Sequence, residues 1–436
     1  MCADIDKPFR AVLRNFGTVM SGQLAITVMG FLALTLNTRA LGLSALGILF
    51  LIQATCELTA KVLSFQNWQT MIKFGADALK DKDPGRLRAA WRFGFLLDML
   101  AAMVAALIAG SLLLWVPELI GVDTENGMFG LIYAASLLLS GSGTSVGALR
   151  VLDRFSVVVA INVASAALLL INAAILWAVS APLWVYLVSI PVINGAMSLL
   201  LILSGYRRTA QVAAGISNKF RNAPLDRRSF LRFALGVSAT GTLNTVRQRG
   251  EILIVGALIG PAASALYGVA YRVATLISRV AEAGRQSVYP ELAKMVSDGK
   301  FLEAVALAFR LLRLGLFVAV PGIAIIFLFG GDILQLLFGE KFKAAAPNLL
   351  LLGISTGLYA TFFAVGPLIQ LQLGTGRFFI LNLAAFLVFL PLAALGPWLL
   401  GQPGAGLGAA AFSVLLAGLS VGQLLVYSRQ KVGVGW

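Results

Sequence analysis

Histidine is absent from this chain of 436 residues, and cysteine occurs only twice, at Cys2 and Cys56. The first absence removes the commonest transition-metal ligand and the commonest group that titrates near neutral pH, so any proton coupling has to use Asp or Glu. The second excludes a disulfide framework or a cysteine-based metal cluster, because one thiol sits at the terminus and the other inside an apolar segment. No metal and no other cofactor is expected. Charge is also scarce: 12% of residues are Asp, Glu, Lys or Arg and 59% are hydrophobic, with a mean hydropathy of +0.89. A soluble globular chain carries about twice that share of charge. Water is therefore not the main solvent.

What the chain has in quantity is apolar sequence in runs of spanning length. About 20 apolar residues carry a helix across the hydrocarbon core. Such windows fall near 14–36, 43–64, 91–114, 128–148, 157–179 and 183–204, and again near 231–258, 263–284, 304–329, 346–370, 377–400 and 404–427. The pattern predicts an all-α polytopic membrane protein with about twelve transmembrane helices in two six-helix lobes. The N-terminal lobe covers 1–204, a polar and basic cytoplasmic linker covers 205–230, and the C-terminal lobe covers 231–436. The first apolar run is too long for a signal-peptide core and lacks an A-x-A exit, so it reads as a retained first span.

Basic residues number 34 against 19 acidic ones, a net charge of +15. In a soluble chain that surplus would suggest nucleic acid. Here it sorts by side. With a cytoplasmic N-terminus, the inward connections hold nearly all of it, whereas the outward ones hold only Arg39, Lys341 and Lys343. By the positive-inside rule this supports an even number of spans with both termini cytoplasmic. Nucleic acid is thereby displaced as the default partner, and membrane lipids, including anionic ones, take its place. Because six is even, an internal repeat of the two lobes would be parallel. Leu41-Gly42 with Leu46-Gly47 after the first span, and Ile259-Gly260 with Leu266-Tyr267-Gly268 after the seventh, carry a weak trace of one.

Charges also occur inside the predicted spans: Lys61, Arg247, Arg249, Arg272 and Arg279, with Glu57, Asp98, Glu251 and Glu282. A charge at mid-bilayer costs roughly 2.5 to 3.5 kcal/mol on insertion scales, so these side chains must face a watery cavity, pair with acids or snorkel to an interface. Gln53, Glu57 and Lys61 recur every four residues, and Glu before Lys is the favourable order for a structural ion pair. Arg272 and Arg279 share one face, two turns apart, and Arg279 with Glu282 approaches an inner helix end where snorkelling is the alternative to a cavity role. Arg247 and Glu251 are four apart, while Arg249 points to another side of the same helix. Arg272 has no acid at i±3 or i±4. Pro191, Pro321, Pro367 and Pro391 fall within spans and permit bending.

Other chemistries are set aside. The run Gly141-Ser142-Gly143-Thr144-Ser145-Val146-Gly147 lacks the Lys-Ser/Thr of a phosphate-binding loop. Gly404 and Gly408 form a small-xxx-small pair suited to close helix packing. Glu118, Asp123 and Glu125 lie in an outward loop too short for an extramembrane catalytic domain, so an enzyme is not expected.

Two stretches resemble a known family. Thr38-Arg39-Ala40-Leu41-Gly42 with Gly47, continuing to Phe65-Gln66-Asn67-Trp68-Gln69, is similar to the start of oligosaccharide flippases (Wzx-like polysaccharide biosynthesis proteins). Their superfamily also holds multidrug exporters and the lipid II flippase. Arg249-Gly250-Glu251, Ile259-Gly260-Pro261, Leu266-Tyr267-Gly268-Val269-Ala270-Tyr271-Arg272 and Pro290-Glu291-Leu292 resemble that family's seventh and eighth spans, with Glu251 standing where Asp is common. The resemblance implies an inner-membrane flippase whose two lobes move a polyprenyl-pyrophosphate-linked glycan to the outer leaflet by alternating access. The substrate-binding candidates are Arg249, Arg272, Arg247, Lys61 and Arg279, since Arg offers bidentate donors to phosphate oxygens. The ion-coupling candidates are Glu57, Glu251, Glu282 and Asp98. A polymerase and other assembly proteins of the same membrane are candidate partners. A multidrug or organic-cation exporter is the alternative transporter, and an integral scaffold or polymerase of the same pathway is the alternative outside transport. A cation exporter needs an acidic cavity, which a surplus of buried Arg opposes.

Overall fold

The computed structural model describes the backbone of residues 6–64, 67–215 and 225–432; the side chains of 6–20, 277–287 and some scattered positions lie outside the description. Among the described residues every regular element is helical. In hydrocarbon a backbone N–H or C=O has no water to bond, and a helix satisfies both within its own segment. The chain forms two compact units, one of Met1–Gly42 with Ile52–Thr245 and the other of Leu43–Leu51 with Val246–Trp436.

In the first unit, α1 (Asp6–Leu63) is broken at Gly42, where φ is 70° and ψ is −172°. Only glycine takes that conformation without steric cost, so the first two predicted spans are the two arms of this element. α2 (Asn67–Lys80) follows, then α3 (Pro84–Trp115). The Asp83 carboxylate caps α3, accepting from Arg86 N at 2.9 Å, and Pro84 occupies the first turn, where its missing N–H is not needed. The fourth predicted span is realised in two pieces, α4 (Thr124–Ser136) and α5 (Gly143–Val151), with a 3-10 turn over Leu137–Leu139 between them. The interrupting Ser140-Gly141-Ser142 consists of residues that favour caps and turns over helix interiors. α6 (Phe155–Ala178), α7 (Leu183–Gly215) and the start of α8 (Arg227–Ile259) complete the unit. Its core joins Met71, Phe74, Trp91 and Phe230, with the Phe74 and Phe230 ring centroids 5.0 Å apart. Small residues bring the backbones close: a Cβ on Gly147 would lie 2.5 Å from the Trp68 carbonyl oxygen.

In the second unit α8 ends at a tight turn on Gly260, with φ of 106°, and Pro261 opens α9 (Pro261–Ser297). The glycines of the two turns after the first and seventh spans thus both take positive φ. The segment Leu43–Leu51 packs here. A Cβ on Gly47 would overlap the Pro261 carbonyl, and one on Gly268 would overlap the Phe50 ring. α10 (Phe301–Phe338) leads through a 3-10 turn, Glu340–Ala345, to α11 (Ala346–Thr361) and α12 (Val365–Leu373). The run from this 3-10 turn through α11 and the run of α12 are bent by 50°. Pro367 sits just past the break, where it cannot donate to the carbonyl four residues earlier. α13 (Thr375–Leu400) and α14 (Leu407–Val432) close the chain, packed where Gly408 faces the Ala393 backbone and Gly404 faces Gly396.

Eight helices among the described residues are long and apolar enough to cross a membrane, or nine if the bent pair is one span. Their outer faces are not built for water. On α10, Phe317 is 78% exposed and Leu336 77%. Apolar exposure on that scale belongs against lipid, so the chain is an all-α polytopic membrane protein. Among the described residues helices α8 and α9 are not among the eight, and they carry Arg247, Arg249, Glu251 and Arg272.

Candidate functional site

The polar centre of the second unit starts on α8. Arg247 and Glu251 are one turn apart on one face, and Arg249 is offset by about 200°. Glu251 is 1% exposed. Its Oε2 accepts from the Tyr267 hydroxyl of α9 at 2.6 Å, and its Oε1 accepts from the backbone N–H of Ala409 at 3.2 Å. Ala409 lies in the first turn of α14, where N–H groups have no intrahelical acceptor and the helix dipole favours a carboxylate. Glu251 therefore serves as a cap supplied from a neighbouring helix. The carbonyl of Ala409 is held in turn by Ser355 Oγ at 2.9 Å, and Ser355 pairs with Ser413 at 2.7 Å.

Arg247 is half-buried. Its guanidinium carbon lies 4.7 Å from the ring centroid of Phe412, on the turn of α14 after Ala409. Its Nε is buried and has no hydrogen-bond partner among the described residues. One face of α8 is thus applied to one face of α14, Glu251 on Ala409 and Arg247 on Phe412. On α9, the half-buried Arg272 places its guanidinium carbon 3.9 Å from the centroid of Phe50. Phe50 is 3% exposed, and its ring lies against Gly268, one turn before Arg272.

The structure brings Arg247, Glu251 and Arg272 into this second unit, with Arg249 half-buried on another side of α8. Glu57, Lys61 and Asp98 belong to the first unit. Lys61 is exposed in the last turn of α1 and Glu57 is half-buried one turn earlier. The side chains of Arg279 and Glu282 lie outside the described residues. Asp98 is 8% exposed and spans the break in the fourth predicted span. Its Oδ2 accepts from Thr144 N at 2.7 Å and its Oδ1 from Asn67 Nδ2 at 2.7 Å, while Asn67 also donates to Gly94 O at 3.1 Å. Asp98 thus caps α5 as Glu251 caps α14. Among the described residues no group of three or more His, Cys, Asp or Glu side chains is placed to hold a metal ion.

Sequence reasoning missed the partners. Phe50 and Phe412 are two among 27 phenylalanines, with no local pattern that marks them. Tyr267 stands inside the stretch ending at Arg272, but nothing in its spacing shows that it reaches Glu251. Asn67 stands inside the stretch Phe65-Gln66-Asn67-Trp68-Gln69 that resembles the flippases, but its reach to Asp98 is likewise a matter of packing.

Residues 79–347, more than half of the chain, match a family described as polysaccharide biosynthesis protein. The inner membrane protein YghQ of Escherichia coli (strain K12) is 23% identical over 345 residues, covering 78% of this chain and 96% of that one. The solved structure of lipid II flippase MurJ in an inward closed conformation is similar, with a TM-score of 0.70 and 13% identity, over 93% of this chain and 87% of that one. So is an inward-facing multidrug resistance MATE family transporter of the MOP superfamily, with a TM-score of 0.65 and 14% identity over 94% of each chain. At such identities the two structures show a shared fold. By the family match the chain belongs to the polysaccharide biosynthesis protein family, and it shares the helical membrane fold of those flippase and transporter structures.

Proposed function

We propose that the protein carries a polyprenyl-pyrophosphate-linked oligosaccharide from the cytoplasmic to the outer leaflet of the bacterial inner membrane by alternating access, for assembly of a surface polysaccharide such as O-antigen, capsule or exopolysaccharide. The observation that carries this reading is the placing of Arg247 and Arg272, half-buried on helices of a membrane protein, each with its guanidinium against an aromatic ring. A guanidinium seated this way is suited to a diphosphate, since its planar fork matches phosphate oxygens and low dielectric strengthens the attraction. Arg249, Lys61 and Arg279 are further candidates for that contact, and Glu57, Glu251, Glu282 and Asp98 for ion coupling. The name of the E. coli relative supports an inner-membrane location. Twelve crossings with both termini cytoplasmic, in lobes divided at 205–230, follow from the hydropathy and charge pattern, and a polymerase of the same pathway is a natural partner.

The test is deletion of the protein followed by analysis of lipid-linked oligosaccharides. Cytoplasmic-leaflet accumulation is expected, restored by the wild type and not by an Arg272→Ala variant expressed at the same level. Unchanged surface glycan in the deletion strain removes the proposal. Export of cationic dyes by the wild type would favour the exporter reading.

A further inference from the structure

Resting on the reading of Arg272 as an anion-binding group, we propose that Phe50 is its positioning residue, the seat that holds the guanidinium where a diphosphate can meet it. Three observations carry this. The guanidinium carbon stands 3.9 Å from the Phe50 centroid, well inside the ~6 Å at which a ring face attracts a cation. The ring is fixed: it is buried and lies in the slot that Gly268 leaves open on α9, where any Cβ would overlap it. Gly268 and Arg272 are one turn apart on the same face, so a single ring covers the glycine and underlies the arginine. Finally, Phe50 lies within Leu43–Leu51, the part of α1 that packs with the second unit, so its position is set by the unit that contains Arg272.

The physical role is orientation. A free arginine side chain samples many rotamers, and ordering them on binding opposes affinity. A ring packed against a guanidinium restricts that sampling, and the planar fork of donors so held is the geometry that phosphate oxygens require. Phe412 under Arg247 repeats the device on another helix.

The experiment uses the full-length protein in detergent and farnesyl pyrophosphate as the probe, with affinity measured by titration calorimetry for the wild type, Phe50→Leu, Phe50→Met, Phe50→Tyr, Arg272→Ala and Phe50→Leu combined with Arg272→Ala. Phe50→Leu and Phe50→Met should each weaken binding by roughly five- to thirtyfold, the span expected for a partly desolvated cation–π contact. Phe50→Tyr should restore it to within about twofold, and Phe50→Leu should cost nothing further once Arg272 is gone. Wild-type affinity in both Phe50→Leu and Phe50→Met overturns the inference while leaving the anion site standing. So does a loss of equal size in the Arg272→Ala background, which would mean that the ring acts on the fold. If Arg272→Ala itself binds as the wild type does, the reading of Arg272 fails, whatever the Phe50 variants show.

Discussion

Tyr267 donates its hydroxyl to Glu251 across 2.6 Å, inside the packed contact of α8 and α9, and both residues are almost wholly buried. A carboxylate oxygen left there without its donor has no water to replace it. Tyr267→Phe should therefore destabilise the protein by about 1–3 kcal/mol, measured as a lower Tm in detergent. Glu251→Gln, which keeps an acceptor, should lose less than Glu251→Ala. A Tyr267→Phe protein that melts with the wild type would show that the bond contributes nothing net.

Asp98 holds the start of α5 through Thr144 N and is itself held by Asn67. Asp98→Ala leaves the first-turn N–H groups of α5 without that acceptor, a loss of roughly 1–2 kcal/mol of local stability. Hydrogen exchange should rise first over residues 143–147. Asn67→Ala should raise it there by a smaller amount. Exchange that rises evenly over the whole first unit would argue against a local role for the cap.

Gly47 faces the Pro261 carbonyl with no room for a Cβ, whereas Gly30 meets nothing within 4 Å. Gly47→Ala should cost on the order of 1–3 kcal/mol through forced displacement of backbone. Gly30→Ala, in a helix interior, should be neutral or slightly stabilising. The pair is read by thermal unfolding in one detergent, and equal effects of the two substitutions would contradict the close approach.

Asp226 caps α8 from outside the apolar spans. Ser229 donates to it through its hydroxyl at 2.5 Å and its N–H at 3.1 Å. The Ser229 hydroxyl first, then the Ser229 and Arg228 N–H groups, hold the Asp226 carboxyl below the usual carboxylate range. The folded value is the lower one, so the contribution is fully present above about pH 4, the ordinary value for Asp, and is lost as pH falls through the folded value. At neutral pH the amides of 228–230 should exchange faster in Asp226→Ala than in the wild type. That difference should vanish in strong acid, and a difference that persists there would rule out the carboxylate as its source.

How much of this was legible depends on the range of the physics involved. Most of the apolar windows fall on single helices, and those near 128–148 and 346–370 are each divided between two, because the need to satisfy backbone polar groups in hydrocarbon acts locally and needs only a run of apolar residues. The break in the fourth span is not read from the sequence, where Gly141–Gly147 serves only to set aside a phosphate-binding loop; the Ser and Gly residues there weaken a helix without fixing where it stops. Of the charges in the spans, Arg247, Glu251 and Arg272 occupy packed positions in the second unit, while Lys61 is exposed at a helix end where its amine suits the dipole. Hydropathy does not separate these cases, since it prices a charge by depth and not by neighbour.

The sequence by itself determined the solvent, the helical class, the two glycine turns and the presence of costly charges on the seventh and eighth spans, all of which follow from single residues or from short-range pattern. Only the tertiary structure decided what each charge meets: Glu251 on Tyr267 and the first turn of α14, Arg247 on Phe412, Arg272 on Phe50 and Asp98 on the first turn of α5. Those contacts join residues up to 222 positions apart, from Phe50 to Arg272. They arise because α-helices packed side by side bring together faces whose sequence separation is set by loop and span lengths, and no local periodicity encodes which face meets which.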